Sequence, residues 1–456
     1  MLASRRALKA ERSTVRGRAL EILLRVERGG AWASRLLETA EPEFSDRRDR
    51  ALLHELVLGV LRRRSVLDAL LARCSSRPLD AVDLIVLTAM RIAAYSMVHL
   101  DRIPKHAAVS TAVDEIKARR PRAAGYANAV LRALTKLDES EHPQPPEKGD
   151  VEALALWSSH PAWYAARRIE HDGWTRALHT LEANNRPAAT HLRIKRGLPA
   201  MEATREELAA QQCLVRPGRV VPDALRVMSG TPAGWLSQGH GWVQDEASQL
   251  VSLLADVRPG QRVLDCCAAP GGKSMHLASL VGEQGQVVAV DRHAGRLRRL
   301  QRNVERVGYA DRINVVLADM TQEAPLAGRF DRVLVDAPCS GSGTLRRHPE
   351  IRWRLDPEQL KLLAERQGRL LERAADRLQS RGRMVYSVCS IEREEGEQVI
   401  DAFLARRPEF SIADPKPLLP AVAHRFVADD GSLRTRPGSE GMDGFYAVAL
   451  ERQEAS

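Results

Sequence analysis

Cysteine is scarce in this chain, with six in 456 residues, two of them the adjacent Cys266 and Cys267. No CxxC pair and no His/Cys grouping has zinc-site spacing, so neither a disulfide framework nor a bound metal is expected, and a reducing cytoplasm fits best. Long apolar runs are also missing. The N-terminal "MLASRRALKAERS" has no apolar signal core, and the greasiest stretch, "DLIVLTAMRIAAYSMVHLD", is interrupted by Arg91 and bounded by aspartates. No membrane span is expected. The dinucleotide fingerprint G-x-G-x-x-G is absent, which argues against a dehydrogenase.

Arginine is abundant instead. The formal charge is +10 and the isoelectric point about 9.6. That balance points to a polyanionic partner, nucleic acid first, because each cation near a phosphate releases a condensed counterion.

A chain of this length predicts several domains. Residues 10–140 read as an all-α bundle: Val15, Ala19, Ile22, Leu23 and Val26 repeat at helical spacing, as do Leu53, Leu56, Val57, Val60 and Leu61 after the capping pair Ser45-Asp46. "EHPQPPEKGD" then suits an exposed linker. Residues 151–235 mix the helical "MEATREELAAQ" with the strand candidates "THLRIK" and "ALRVM", and read as a small α/β connector. Over 236–452, the strand-like runs "RVLDCCA", "QVVAVD", "INVVLAD", "RVLVDAP" and "RMVYSVC" alternate with helix-length segments. This predicts a doubly wound, Rossmann-like α/β domain with a mostly parallel sheet.

Within that domain, "VLDCCAAPGGKSMHLASL" places a glycine turn between a strand and a helix, where backbone N–H groups can hold a polar ligand group. Asp291 closes the next strand, placed to accept from both ribose hydroxyls, and Asp319 closes the third. Together these features describe a site for an adenosine-bearing ligand without a pyrophosphate.

Cys339 in "VDAPCSGSG" and Cys389 in "VYSVCSIEREEGE" each follow an apolar strand, so they are expected to converge beside that ligand. Pyrimidine C5 methylation suits such a pair: a thiolate adds to C6, the activated C5 takes the methyl group of S-adenosyl-L-methionine, a base removes the C5 proton, and elimination frees the thiol. Asp336 could hydrogen-bond the N3/N4 edge of cytosine. Lys273, Arg346 and Arg347 are candidate cations for favouring the thiolate. Cys266 reads as packing. "TLRRHPEIRWR" sets Arg346, Arg347, Arg352 and Arg354 around Trp353, a candidate for phosphate anchoring and base stacking. Arg5, Arg6, Arg12, Arg16 and Arg18 are candidates for extending that footprint.

The chain resembles the RNA cytosine-C5 methyltransferase family, in its bacterial branch that modifies small-subunit (16S) ribosomal RNA. "WVQDEASQLV", "DCCAAPGGKS", "DAPCSGSGTLRRHPEIRW", "YSVCS" and "DGFYAVAL" carry the resemblance, with "RDRALLHELVLGVLRR" and "IPKHAAVSTAVDEIK" of a NusB-like RNA-binding domain. The resemblance implies that Cys389 is the nucleophile and that Cys339 assists release of the methylated product. Chemistry alone would favour Cys339, because DNA cytosine methyltransferases attack with their Pro-Cys thiol. It further implies a methyl-donor site of Cys267, Ala268, Ala269, Pro270, Gly271, Gly272, Lys273, Asp291, Asp319 and Asp336. The expected protein is a monomeric cytoplasmic enzyme. The competing readings are the same chemistry on transfer RNA and a noncatalytic RNA-binding assembly factor. Two departures from the family pattern are Val388, where threonine is common, and Gly396, where asparagine is common.

Overall fold

The computed structural model describes residues 14–195, 197 and 201–453. They form two compact units, 14–187 with 345–354, and 188–344 with 355–453. Arg5, Arg6 and Arg12 lie outside the described residues.

The first unit is all-α: α1 Val15–Gly29, α2 Ala33–Ala40, α3 Arg47–Cys74, α4 Leu84–His99, α5 Lys105–Arg119, α6 Ala124–Leu134, α7 Val151–Ser158, α8 Ala162–Asp172 and α9 Trp174–Asn184. The Thr14 side chain caps α1 by accepting from Gly17 N, and Asp46 caps α3 by accepting from Arg48 N. The apolar residues read at helical spacing form one core, with Ile22, Leu23, Leu56, Val57 and Leu61 buried. Arg91 is buried in that core because Asp68 and Glu27 accept from its guanidinium at 2.6 and 2.8 Å. A buried charge persists only with such partners. Among the described residues no helix is long and apolar enough to cross a membrane.

The connector expected over 151–235 is divided. Its helices α7–α9 belong to the first unit, while its strands belong to the second. The strands β1 His191–Ile194, β2 Leu214–Pro217, β3 Ala224–Ser229 and β4 Gly241–Val243 pair antiparallel in the order β2-β3-β1-β4. They accompany α10 Met201–Ala210 and α11 Ala233–Ser237. The physical reason for the division is burial: Leu192, Leu208, Leu225 and Trp235 make a core of their own.

The rest of the second unit is a larger sheet in the order β10-β12-β9-β8-β5-β6-β7, with β11 paired to β12. Its strands are β5 Arg262–Asp265, β6 Gln286–Asp291, β7 Ile313–Leu317, β8 Phe330–Asp336, β9 Leu378–Val388, β10 Phe410–Ile412, β11 Leu433–Thr435 and β12 Phe445–Arg452. β5 to β9 pair in parallel, and β12 runs antiparallel to β9. Five helices cover the faces: α12 Glu246–Leu254, α13 Gly272–Val281, α14 Ala294–Val307, α15 Pro357–Arg377 and α16 Glu397–Arg406. Alternate strand residues enter different cores. Val263 and Val287 pack with Leu277 and Leu300, while Leu264 and Val288 pack with Leu371 and Phe403. Burial on both faces explains why these strands read as continuous apolar runs. The order reverses at β5 and β8, which places the ligand crevice beyond their carboxyl ends.

Candidate active site

The turn after β5 is shaped by Gly271. Its φ of +107° suits glycine, and a Cβ there would stand 3.1 Å from Leu300 Cγ. Met275 N donates to Gly271 O at 2.8 Å, which opens α13 with Gly272 and Lys273 in its first turn. Upstream, Cys266 N donates to Leu334 O and Ala268 N to Val290 O, both at 2.9 Å, tying the turn to β8 and β6.

Asp291, at the end of β6, is buried and accepts from His293 N at 2.9 Å. Asp319, just past β7, accepts from Thr321 N at 2.9 Å and Thr321 Oγ1 at 2.7 Å. Burial pushes the Asp319 carboxyl up, but the Thr321 bonds, with Arg366 and Arg292, outweigh it and hold the group below its usual range. A turn shaped by Gly271, the start of α13 just after it and two carboxylates at successive strand ends fit an adenosine-bearing ligand.

Asp265 was not among the expected site residues, although it ends the strand before the glycine turn. It is buried and accepts from Ser274 Oγ at 2.7 Å. Burial pushes its carboxyl up to about 7; the Ser274 bond opposes the rise and the charge of Asp336 adds to it. Asp336, at the end of β8, accepts from Lys273 Nζ at 2.8 Å and Ser387 Oγ at 2.7 Å. Lys273 also lies over the Phe445 ring, its Nζ 5.0 Å from the centroid.

The two thiols meet. Cys339 Sγ is 3.4 Å from Cys389 Sγ, where the turn after β8 lies against the end of β9. The contact with Cys389 and burial push the Cys339 thiol well above its ordinary range, so it keeps its proton near neutrality. Cys266 is a buried thiol within the core, as expected of packing. Burial, with Asp265, Asp336 and Asp291 nearby, also raises the Cys267 thiol. Val388 is buried beneath the site, and a Cβ on Gly396 would stand 3.1 Å from the Tyr446 ring.

The arginine-rich segment belongs to the first unit. Arg352 is fully buried, and its guanidinium donates to Arg62 O at 3.2 Å, Ser159 O at 3.0 Å, Asn185 Oδ1 at 2.8 Å and Asn184 O at 3.0 Å. Burial, then the nearby Arg62, lowers its pKa to about 9. Trp353 Nε1 donates to Leu61 O at 2.9 Å, with Arg64 over its ring. Arg346 is buried and donates to Pro187 O at 2.9 Å. These contacts correct the RNA-facing expectation for Arg346, Arg352 and the Trp353 indole nitrogen, whose donors bind the protein's own carbonyls. Arg347 is half-buried. Of the expected N-terminal basic residues, Arg18 pairs with Glu21 at 2.9 Å and Glu43 at 2.6 Å.

Glu395, also outside the expected set, is a buried carboxylate contacting the serines that follow both cysteines. The only sequence signal for it is the paired glutamates of "EREEGE".

Residues 252–451 match the model of the 16S rRNA methyltransferase RsmB/F family, and residues 13–136 that of the NusB family. The chain is 33% identical to a probable ribosomal RNA small subunit methyltransferase B of Bacillus subtilis, over 97% of this chain and all of the relative. It is 34% identical to a ribosomal RNA small subunit methyltransferase B of Citrobacter koseri, over 96% of this chain and 99% of the relative. The crystal structure of PH0851 superposes with a TM-score of 0.79 at 25% identity, covering 97% of this chain and 98% of that one. NSun6 from Pyrococcus horikoshii shares the fold, with a TM-score of 0.58 at 16% identity, covering 65% of this chain and 99% of that one.

Proposed function

Since the chain belongs to the 16S rRNA methyltransferase RsmB/F family, we propose that it methylates carbon 5 of a cytosine in small-subunit ribosomal RNA, using two thiols in turn. The observation that carries this reading is the 3.4 Å approach of Cys339 Sγ to Cys389 Sγ beside the Lys273–Asp336 pair.

The target base must first leave its stack, at about a few kcal/mol. Cys389 then adds to C6, which moves electron density onto C5 and the N3/O2 side of the ring. Asp336, held by Lys273 and Ser387, accepts from the N4 amino group and orients that edge. Cys267 through Lys273, with Asp291 and Asp319, would hold S-adenosyl-L-methionine, which would supply an electrophilic methyl group for C5 and leave as S-adenosylhomocysteine. A base, water in the simplest case, takes the C5 proton; the C–H electron pair restores the C5–C6 double bond as the Cys389–C6 bond breaks and Cys389 leaves as a thiolate, and Cys339 assists that release. The 3.4 Å approach of the two sulfurs supports a shared site, in which one thiol can act on the carbon that the other has attacked. The reading includes a cytoplasmic monomer.

The test is transfer of labelled methyl from S-adenosyl-L-methionine to unmodified small-subunit ribosomal RNA, followed by nucleoside analysis. Wild type should yield 5-methylcytidine, while Cys389→Ala binds RNA without modifying it. Methylation by Cys389→Ala would remove it as the nucleophile. Label in transfer RNA alone would change the substrate.

A further inference from the structure

A reaction that uses two thiols in succession on one carbon needs both sulfurs to stay in register from addition to release. The elements that carry them are held very differently. Cys389 follows β9, an eleven-residue strand paired with β8 on one side and β12 on the other, up to Val388 opposite Tyr446. Cys339 lies in an irregular turn beyond the last β8 pair, Asp336 with Ser387. A sheet ladder runs up to the first thiol, while the second sits in a turn whose main chain is tied at its ends, by Ala337 N to Ser387 O at 2.8 Å and Gly343 N to Cys389 O at 3.1 Å, and is held between them by side chains.

Those side chains converge on Glu395, which is fully buried in the turn between β9 and α16. Its Oε1 accepts from Ser340 N at 2.8 Å and Gln367 Nε2 at 3.0 Å. Its Oε2 accepts from Ser340 Oγ at 2.5 Å and Ser390 Oγ at 2.6 Å. Gln367 Nε2 also donates to Pro338 O at 3.0 Å, so the residues on both sides of Cys339 are secured by one carboxylate and the amide it holds. Tyr386 OH, on β9, donates to the Glu395 main-chain oxygen at 2.5 Å. A buried carboxylate is costly without donors, and donors to a charged acceptor are the strong ones. Four such bonds on one side chain mark a site where the turn's geometry is specified.

We infer that Glu395 is a positioning residue that holds the Cys339 turn against Cys389, and that its loss uncouples product release from methyl transfer. The inference rests on the two-thiol reading above. It predicts an asymmetric defect. Three of the four bonds to Glu395 come from Ser340 and Gln367, which secure the Cys339 side, and one from Ser390, beside a thiol already fixed by its strand. The far end of the Cys339 turn has separate anchors in Gly343 N to Cys389 O at 3.1 Å and Ile391 N to Ser342 Oγ at 3.0 Å. Losing Glu395 therefore relaxes Pro338 through Ser340 and leaves the turn attached.

The experiment compares wild type, Cys339→Ala, Glu395→Gln and Ser340→Ala on unmodified small-subunit ribosomal RNA. It measures single-turnover methyl transfer, multiple turnover, and protein–RNA complex surviving denaturation, with thermal melting and S-adenosyl-L-methionine binding as fold controls. Gln is isosteric, but its amide nitrogen opposes donors that the carboxylate accepts. Glu395→Gln should transfer methyl at close to the wild-type rate, release product about 100-fold more slowly, as a displacement near 1 Å can cause, and accumulate the complex that Cys339→Ala accumulates. Ser340→Ala should shift the same partition in the same direction, and serves alone if Glu395→Gln does not fold. Turnover by folded Glu395→Gln without trapped complex overturns the inference, as does an equal loss of transfer and release. If Cys339→Ala itself traps nothing, the two-thiol reading falls and takes this role with it.

Discussion

Lys273 Nζ donates to Asp336 Oδ2 at 2.8 Å, joining the first turn of α13 to the end of β8. That bond links the helix start after the glycine turn to the carboxylate proposed to read the base edge, so one ion pair joins the two halves of the proposed site. Ser387 Oγ holds the other carboxylate oxygen at 2.7 Å.

Lys273→Met keeps most of the packing volume and removes the charge. It should lower kcat for methyl transfer about 100-fold, the scale found when one preorganised electrostatic partner is lost. Steady-state kinetics with saturating RNA decides it, and a kcat within about twofold of wild type would show that Ser387 suffices to hold Asp336.

Cys339→Ala should accumulate enzyme attached to methylated RNA, resistant to denaturation and reduced by nuclease and then protease digestion to a peptide in which Cys389 carries the methylated nucleotide. Normal turnover without such a species would remove Cys339 from the mechanism.

Asp265 predicts a pH signature in stability. Its carboxyl is raised to about 7 in the folded chain, against about 3.9 when unfolded. Between those values the folded protein holds a proton that the unfolded chain has lost, so this contribution to stability declines as pH rises and levels off above the upper value. Asp265→Asn removes the titration. The melting temperature of the variant, relative to wild type, should therefore be higher at pH 8 than at pH 5. A constant difference across that range would mean that the group does not titrate there.

Arg352→Ala should destabilise the protein by about 2–4 kcal/mol, because it leaves several buried acceptors without donors and opens a cavity. Denaturant melts of wild type and variant check this. A shift below about 0.5 kcal/mol would place Arg352 among surface residues.

The parallel strands of the catalytic sheet were legible because burial on both faces writes them as apolar runs, and an acid or cysteine at each carboxyl end marks where the sheet stops. The thiol pair and the glycine turn followed from the same feature. Glu395 was not legible, since its role exists only once residues 340, 367 and 390 are brought together. Arg352 misled for a related reason. A charged side chain reads alike whether it faces water or donates to carbonyls, and burial alone separates the two cases. The connector's boundary was missed because helices α7–α9 carry the same periodicity whichever core they join.

The first unit takes residues 345–354 from far along the chain. A ribosome making this protein releases residues 14–187 well before it reaches that decapeptide, and at about 5–20 residues per second the interval is on the order of ten to thirty seconds. Throughout it, the carbonyls of Arg62, Ser159 and Asn184 lack the guanidinium that later satisfies them. The all-α bundle is thus synthesised ahead of the larger sheet yet finished only after β8 has been made, and a nascent chain stalled before Arg352 carries it incomplete.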